Sequence, residues 1–218
     1  QARSELARRF ALGDLAGRFV VLTVAALLLP PNKGHRQTID ALARLADKRF
    51  LYLVAGSGPD REAIARHAAA AGLGHQVKLL GFVEQAMLPT LYSAADAVTL
   101  VARGGAGWGE AVPLGLIEAS ACATPFVCGN EDGSPEAFDP VLPNGVAIGP
   151  EDVPALAAAL GAWAGDPARA REMGANGVRV VEQRFRFERF VESQGELLRR
   201  HLGILSARPE FGASVRAF

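Results

Sequence analysis

Apolar residues recur along this chain in two alternating rhythms. Some short runs are apolar at nearly every position. Phe19-Val20-Val21-Leu22-Thr23-Val24 is the first, and such a run reads as a strand buried on both faces. Residues 50–54, 76–80, 97–101, 125–128 and 145–148 repeat the pattern. Between these runs the apolar positions fall at helical spacing. Residues 37–47 carry Ile39, Leu42, Ala43 and Leu45 on one side. Residues 59–71 are alanine-rich, with Pro59 near the start and Gly72 and Gly74 near the end, the usual order of helix signals. Residues 84–95 predict one helix, or two interrupted around Pro89, and residues 114–122 another. From Glu151 onward only helices are predicted, over 153–163, 167–182 and 187–202, and the tail after Gly203 carries little pattern. Strand and helix in alternation predict an α/β fold: a Rossmann-like three-layer domain with about six parallel strands and a helical C-terminal annex. Residues 1–18 are expected to form a lead-in helix between domains, 19–165 the Rossmann-like domain, 166–203 the C-terminal helices and 204–218 a tail.

Composition narrows this picture. Half of the 218 residues are hydrophobic, enough for a packed core rather than a disordered chain. The 23 Lys and Arg balance 23 Asp and Glu, so no bulk field draws in nucleic acid or an anionic membrane, and no nucleic-acid partner is expected. Cys122 and Cys128 have no further cysteine near them, which excludes a disulfide scaffold or zinc ribbon and fits a reducing, cytoplasmic setting. The longest nearly apolar run, residues 19–31, is about a dozen residues long, too short to span a bilayer. Because the sequence opens on Gln1 rather than Met, it is expected to be part of something longer.

Several familiar chemistries lack their motifs. Gly56-Ser57-Gly58 follows a strand and precedes a helix, but position 61 is arginine where a dinucleotide fingerprint needs its third glycine. A dehydrogenase is therefore disfavoured, and Gly56 is read either as a tight turn or as a point of ligand approach. There is no G-x-x-x-x-G-K-[ST] and no G-x-S-x-G. His35, His67, His75 and His201 show no metal-ligand spacing, and no Asp-x-Asp occurs, so neither metal nor cofactor is expected.

Two segments carry positive signals. Lys33-Gly34-His35 lies between the first strand and first helix, where a lysine backed by a helix N-terminus can hold a diphosphate. A solvated loop lysine is the plainer alternative. Glu110 and Glu118 stand eight residues apart around a helix start, at most ~12 Å along the axis and ~80° apart in angle. Between them are free backbone N–H groups, an anion cradle. The arrangement suits an elongated ligand with hydroxyls at each end and a diphosphate in the middle. An ionised Glu118 among Leu116, Ile117 and Ala119 also needs a partner.

These pieces occur in a recognisable order: Lys33-Gly34-His35, Val54-Ala55-Gly56-Ser57-Gly58-Pro59, Val77 to Val83, Leu91-Tyr92-Ser93-Ala94-Ala95-Asp96, and Glu110-x7-Glu118. The set resembles group-1 retaining glycosyltransferases of the GT-B fold, from about Val20 to the segment Phe185-Arg186-Phe187-Glu188-Arg189-Phe190. The resemblance implies the C-terminal, nucleotide-sugar-binding half of such an enzyme, acting in polysaccharide or glycoconjugate biosynthesis. It implies transfer of a sugar from a nucleoside diphosphate sugar to an acceptor hydroxyl, without metal or cofactor. Lys33 would contact the diphosphate and Glu110 the hydroxyls of the transferred sugar, as the catalytic pair. Backbone N–H groups of Ala111, Val112 and Leu114 would lie near sugar and phosphate. Phe82 and Val83 would frame the base, Gly56 would border the donor, and Glu118 would accept from the ribose. Where the family usually has an arginine before the lysine this chain has Leu28, with Arg103 as candidate substitute, and Ala123 stands where glycine is typical. The implied partners are the nucleotide-sugar and an acceptor-binding N-terminal half, with peripheral membrane attachment through that half. The alternative, suggested by Leu28, is a catalytically weakened nucleotide-binding module of the same fold.

Overall fold

A computed structural model describes residues 1–29, 33–102 and 111–202. The chain divides into two units, Gln1–Val180 and Val181–Phe218. In the first, strands β1 (Phe19–Val24), β2 (Phe50–Ala55), β3 (Val77–Gly81), β4 (Ala97–Leu100), β5 (Phe126–Gly129) and β6 (Gly145–Ile148) form one sheet. Their order is β3-β2-β1-β4-β5-β6 and every pairing is parallel. The order reverses between β1 and β4, the point where such sheets open a crevice at the strands' carboxyl ends. The α/β Rossmann-like fold with six parallel strands is thus the fold the pattern predicts.

Strand alternation explains why these runs are apolar throughout. Phe19, Val21, Phe50, Tyr52 and Val54 pack in one core with Ile39 and Leu42 of α2 (His35–Leu45), Ile64 of α3 (Arg61–Ala70) and Leu156 and Leu160 of α6 (Val153–Gly165). Val20, Leu22, Leu51, Leu53 and Ala55 point the other way. There they meet Leu6 of α1 (Ala2–Arg9), Leu91 of α4 (Leu88–Ala94) and Leu116 of α5 (Leu114–Ala121). Each strand serves two cores, so the few polar strand positions, Thr23 and Thr99 among them, must find hydrogen-bond partners inside the fold.

Some boundaries differ from the pattern for local reasons. Helix α2 starts at His35, two residues early, because Gly34 caps it in the left-handed region at φ 83°. Pro89 does not break a helix: a 3-10 turn over Gln85–Met87 leads into α4, whose first turn accepts the proline. Helix α7 (Pro167–Val180) stops short of residue 182, and a π-helical segment, Val181–Phe185, follows. A 3-10 turn over Ser134–Ala137 carries no clear periodic signal.

At the amino edge of the sheet, Arg3 ties α1 down by donating to the carbonyls of Ala94 and Arg18 and to the Asp96 carboxylate. Asp96 also accepts from the Val20 N–H at 2.7 Å. Helices α5 and α7 approach closely through glycine. A Cβ on Gly174 would lie 2.0 Å from the Ala123 carbonyl oxygen, and one on Gly177 would meet Ser120 at 3.1 Å. Ala123 itself sits at φ 58°, a conformation that glycine adopts at little cost and that strains alanine by about 1 kcal/mol. In the second unit, α8 (Phe187–Leu202) exposes Phe187, Phe190, Leu197 and Leu198, and Glu196 accepts from Arg199 and Arg200. No helix among the described residues is long and apolar enough to cross a membrane.

Candidate functional site

Two arms meet at the carboxyl ends of β1 and β4. The first follows β1 and carries Lys33, which is half-buried. Next to it, Gly34 is pressed onto the chain leaving β4: a Cβ there would lie 2.9 Å from both the N and O of Val101. Beneath this turn runs a buried polar network. His35 Nε2 lies 3.2 Å from the Ala26 carbonyl and Nδ1 lies 3.3 Å from the Tyr52 hydroxyl. The Tyr52 and Thr23 hydroxyls are 2.8 Å apart, Thr23 donates to the Thr99 carbonyl, and Thr38 donates to the Thr99 hydroxyl. Burial pushes the His35 pKa down, the Ala26 bond partly opposes this, and the charge of Lys33 adds to the lowering. A neutral His35 facing a carbonyl at Nε2 carries its proton there, leaving Nδ1 to accept from Tyr52.

The β2–α3 loop lies on this arm. A Cβ on Gly56, at φ 151°, would fall 1.9 Å from the Ala25 carbonyl oxygen, and one on Gly58 would fall 2.3 Å from that of Leu27. This backbone approach requires both glycines. Asp60 precedes α3 but does not cap it. Its carboxylate accepts from the Leu29 N–H at 2.7 Å and so steadies the β1 arm. Gly56 donates to the Gly81 carbonyl, joining the end of β3, after which Phe82 is 78% exposed and Val83 half-buried. Leu28 brings no charge to the arm, and its N–H is bonded to the Ala26 carbonyl.

The second arm follows β4. Arg103, Glu110 and the glycine-rich loop between them lie outside the described residues. Ala111 is exposed and Val112 half-buried. Pro113 then begins α5 without a side-chain cap, and Leu114 in the first turn is exposed. Helix geometry leaves the N–H groups of Leu114 and Gly115 without intrahelical acceptors. Gly115 brings this turn against the end of β1: a Cβ there would lie 3.9 Å from the Val24 carbonyl and 3.2 Å from the Tyr92 hydroxyl. One turn on, half-buried Glu118 accepts from the Tyr92 O–H at 3.0 Å. This is the partner its apolar neighbours demand. Burial, and then the Glu118 charge, push the Tyr92 phenol well above its usual range, so it stays a donor.

The structure therefore brings Lys33, the α5 N-terminus and Glu118 to the two strands that flank the switch point. Gly56, Phe82 and Val83 border them on the β2–β3 side. His35, Asp60 and Tyr92 are the supporting groups that sequence reasoning missed. Among the described residues, no group of three or more His, Cys, Asp or Glu side chains is placed to hold a metal ion.

A parallel sheet whose strand order reverses between β1 and β4, with helices on both faces, defines a Rossmann-like α/β domain. The family follows from comparison with known proteins: the chain belongs to the glycosyl transferases group 1, whose family pattern matches residues 7–180. It is 33% identical over 182 residues to a GDP-mannose-dependent alpha-(1-6)-phosphatidylinositol monomannoside mannosyltransferase of Mycolicibacterium smegmatis, covering 81% of this chain and 46% of that protein. Among solved structures, sucrose-phosphate synthase from Thermosynechococcus elongatus superposes with a TM-score of 0.75 at 28% identity, over 91% of this chain and 48% of that one. Anabaena HepE in complex with UDP shares the fold, with a TM-score of 0.78 at 24% identity, over 90% of this chain and 52% of that one. The chain spans about half the length of the relatives it matches. Both the family and the GT-B relationship are those the motif order resembles.

Proposed function

We propose that this chain is the donor-binding half of a retaining, metal-independent glycosyltransferase. It would move a sugar from a nucleoside diphosphate sugar to an acceptor hydroxyl supplied by an N-terminal half. The observation that carries the reading is the placement of Lys33, Glu118 and the α5 N-terminus, which has no side-chain cap, on elements that follow the two switch-point strands β1 and β4. A nucleoside diphosphate sugar has the matching order of groups: ribose hydroxyls, two phosphates, sugar hydroxyls. Lys33 would hold the diphosphate, with the backbone N–H groups of Ala111, Val112 and Leu114 near sugar and phosphate. Their contacts strengthen as the glycosidic bond breaks and negative charge builds on the leaving group, which lowers the barrier. Glu110 would hold the transferred sugar, Glu118 the ribose, and Phe82, Val83 and Gly56 the base side, with Arg103 assisting at the phosphates. No cofactor enters this scheme. We place the enzyme in the cytoplasm, with any membrane attachment carried by the other half.

Leu28 favours a second reading, because an uncharged residue stands where the family pattern has arginine. The chain would then bind nucleotide with weakened turnover. Calorimetric titration of the 218-residue chain with GDP, UDP, GDP-mannose, UDP-glucose and NAD tests both readings. The Mycolicibacterium relative is named for GDP-mannose and HepE was solved with UDP, so those nucleotides come first. Binding of a nucleoside diphosphate and its sugar, but not of NAD, is expected. Alone, the chain should give slow donor hydrolysis at most, since the acceptor is expected to bind the N-terminal half. Preference for NAD would refute the assignment, and robust acceptor glycosylation would show that no second half is needed.

A further inference from the structure

Tyr92 is built into the molecule in a way that packing alone does not require. Its ring is 1% exposed within the core between α4, α5 and the sheet. Its carbonyl accepts from the Thr124 hydroxyl at 2.8 Å, which ties the end of α4 to the segment just after α5. Its hydroxyl reaches through the gap left by Gly115 and donates to Glu118 Oε2. A buried phenol needs a partner for its O–H, but leucine or phenylalanine fills a core equally well. The consequence lies with Glu118. A glutamate on a helix swings through several rotamers, whereas one fixed at Oε2 presents Oε1 and the remaining lone pairs of Oε2 in one orientation. Oε1 has no partner among the described residues.

We propose that Tyr92 is a positioning residue for ligand recognition: its hydroxyl sets the orientation in which Glu118 accepts from the vicinal hydroxyls of a ribose. The inference rests on the donor-binding reading of Glu118 and adds a residue on another helix, 26 positions away in sequence. Tyr92 itself remains a donor across the physiological range.

The test compares GDP and UDP with their 2′,3′-dideoxy analogues, titrated calorimetrically into the 218-residue chain and its Tyr92→Phe and Glu118→Ala variants. The wild type should prefer the ribose form about 10-fold or more, the size of one good hydrogen bond to a charged group. Glu118→Ala should abolish the preference. Tyr92→Phe should weaken ribose-form binding roughly 3- to 10-fold and leave the dideoxy form within about twofold, so that the preference shrinks. The melting temperature of each variant reports whether the core is intact. Should Tyr92→Phe not fold, Tyr92→Leu provides the same comparison. Full preference in Tyr92→Phe, with none in Glu118→Ala, overturns the positioning role and leaves the ribose reading standing. Equal weakening of both ligand forms by Tyr92→Phe also overturns it, since that marks a purely structural bond. Preference that survives Glu118→Ala, or absence of binding by the wild type, removes the ribose reading and this inference with it.

Discussion

Helices α5 and α6 both leave the carboxyl edge of the same sheet, yet their first turns are built in opposite ways. At α6 the Asp152 carboxylate accepts from the Ala155 N–H at 2.9 Å, closing the helix start within the protein. At α5 the capping position is Pro113, whose hydrocarbon ring has no hydrogen-bond acceptor to offer. A cap is worth about 1 kcal/mol, so α5 forgoes stability that α6 keeps. It is held from behind instead, where Gly174 and Gly177 let α7 lie against Ser120 and Ala123. Helix α2 is likewise open at Gly34, but a buried polar network anchors it. Of these three helices, the two without a side-chain cap follow β1 and β4 and the capped one follows the edge strand β6; α3, after β2, also starts without a side-chain cap. The difference teaches that a helix start without a side-chain cap draws its stability from packing or buried hydrogen bonds elsewhere in the fold.

The comparison can be broken at its supports. The largest effect is expected at Gly174. A valine there places its Cβ on the Ala123 carbonyl, and backbone cannot yield cheaply, so urea unfolding should show a loss of about 3 kcal/mol or more. A variant as stable as the wild type would mean that α5 is not held from behind.

The support of α2 is sensitive to acid. Burial lowers the folded-state pKa of His35 below its usual value. Above about pH 6.5 the residue is neutral in both folded and unfolded chains, so the network contributes in full. Below that, the unfolded chain takes up the proton first. Stability then falls by up to about 1.4 kcal/mol per pH unit until the lowered folded pKa is passed. Unfolding curves between pH 7.5 and 5 should show this decline, and His35→Gln should flatten it. An identical decline in the variant would assign the acid sensitivity to other groups.

The smallest effect sharpens the contrast. Asp152→Ala should cost about 1 kcal/mol of stability and leave nucleotide affinity unchanged, because that cap serves structure alone. Altered GDP or UDP affinity in this variant would tie α6 to the site and blur the distinction.

The sheet was legible because each strand faces two cores, which makes Phe19 to Val24 and Phe50 to Ala55 apolar on both sides. The site was legible in part. Lys33 and Glu118 stand out as charges beside glycines and apolar residues, and the structure sets both on elements that flank the switch point. Their supports were hidden, because they arise only when the topology brings distant residues together. Thr23, His35, Thr38, Tyr52 and Thr99 come from β1, α2, β2 and β4, and none carries a local signal of its partners. Tyr92 reads locally as one more core aromatic. Asp60 directly precedes α3, and only the folded β1 arm shows its carboxylate on Leu29. For Gly56, a turn and a ligand approach were equally compatible with the sequence. The contact with Ala25 supplies a backbone reason that holds with or without a ligand.

The central claim is that Lys33 holds the phosphates and Glu118 the ribose. The most direct measurement is calorimetric titration of Lys33→Ala with a nucleoside diphosphate and with the free nucleoside. Loss of the charge-assisted contact should weaken diphosphate binding by about 1.5–3 kcal/mol and leave the nucleoside nearly unaffected. Equal loss for both ligands, or none for the diphosphate, would contradict the account.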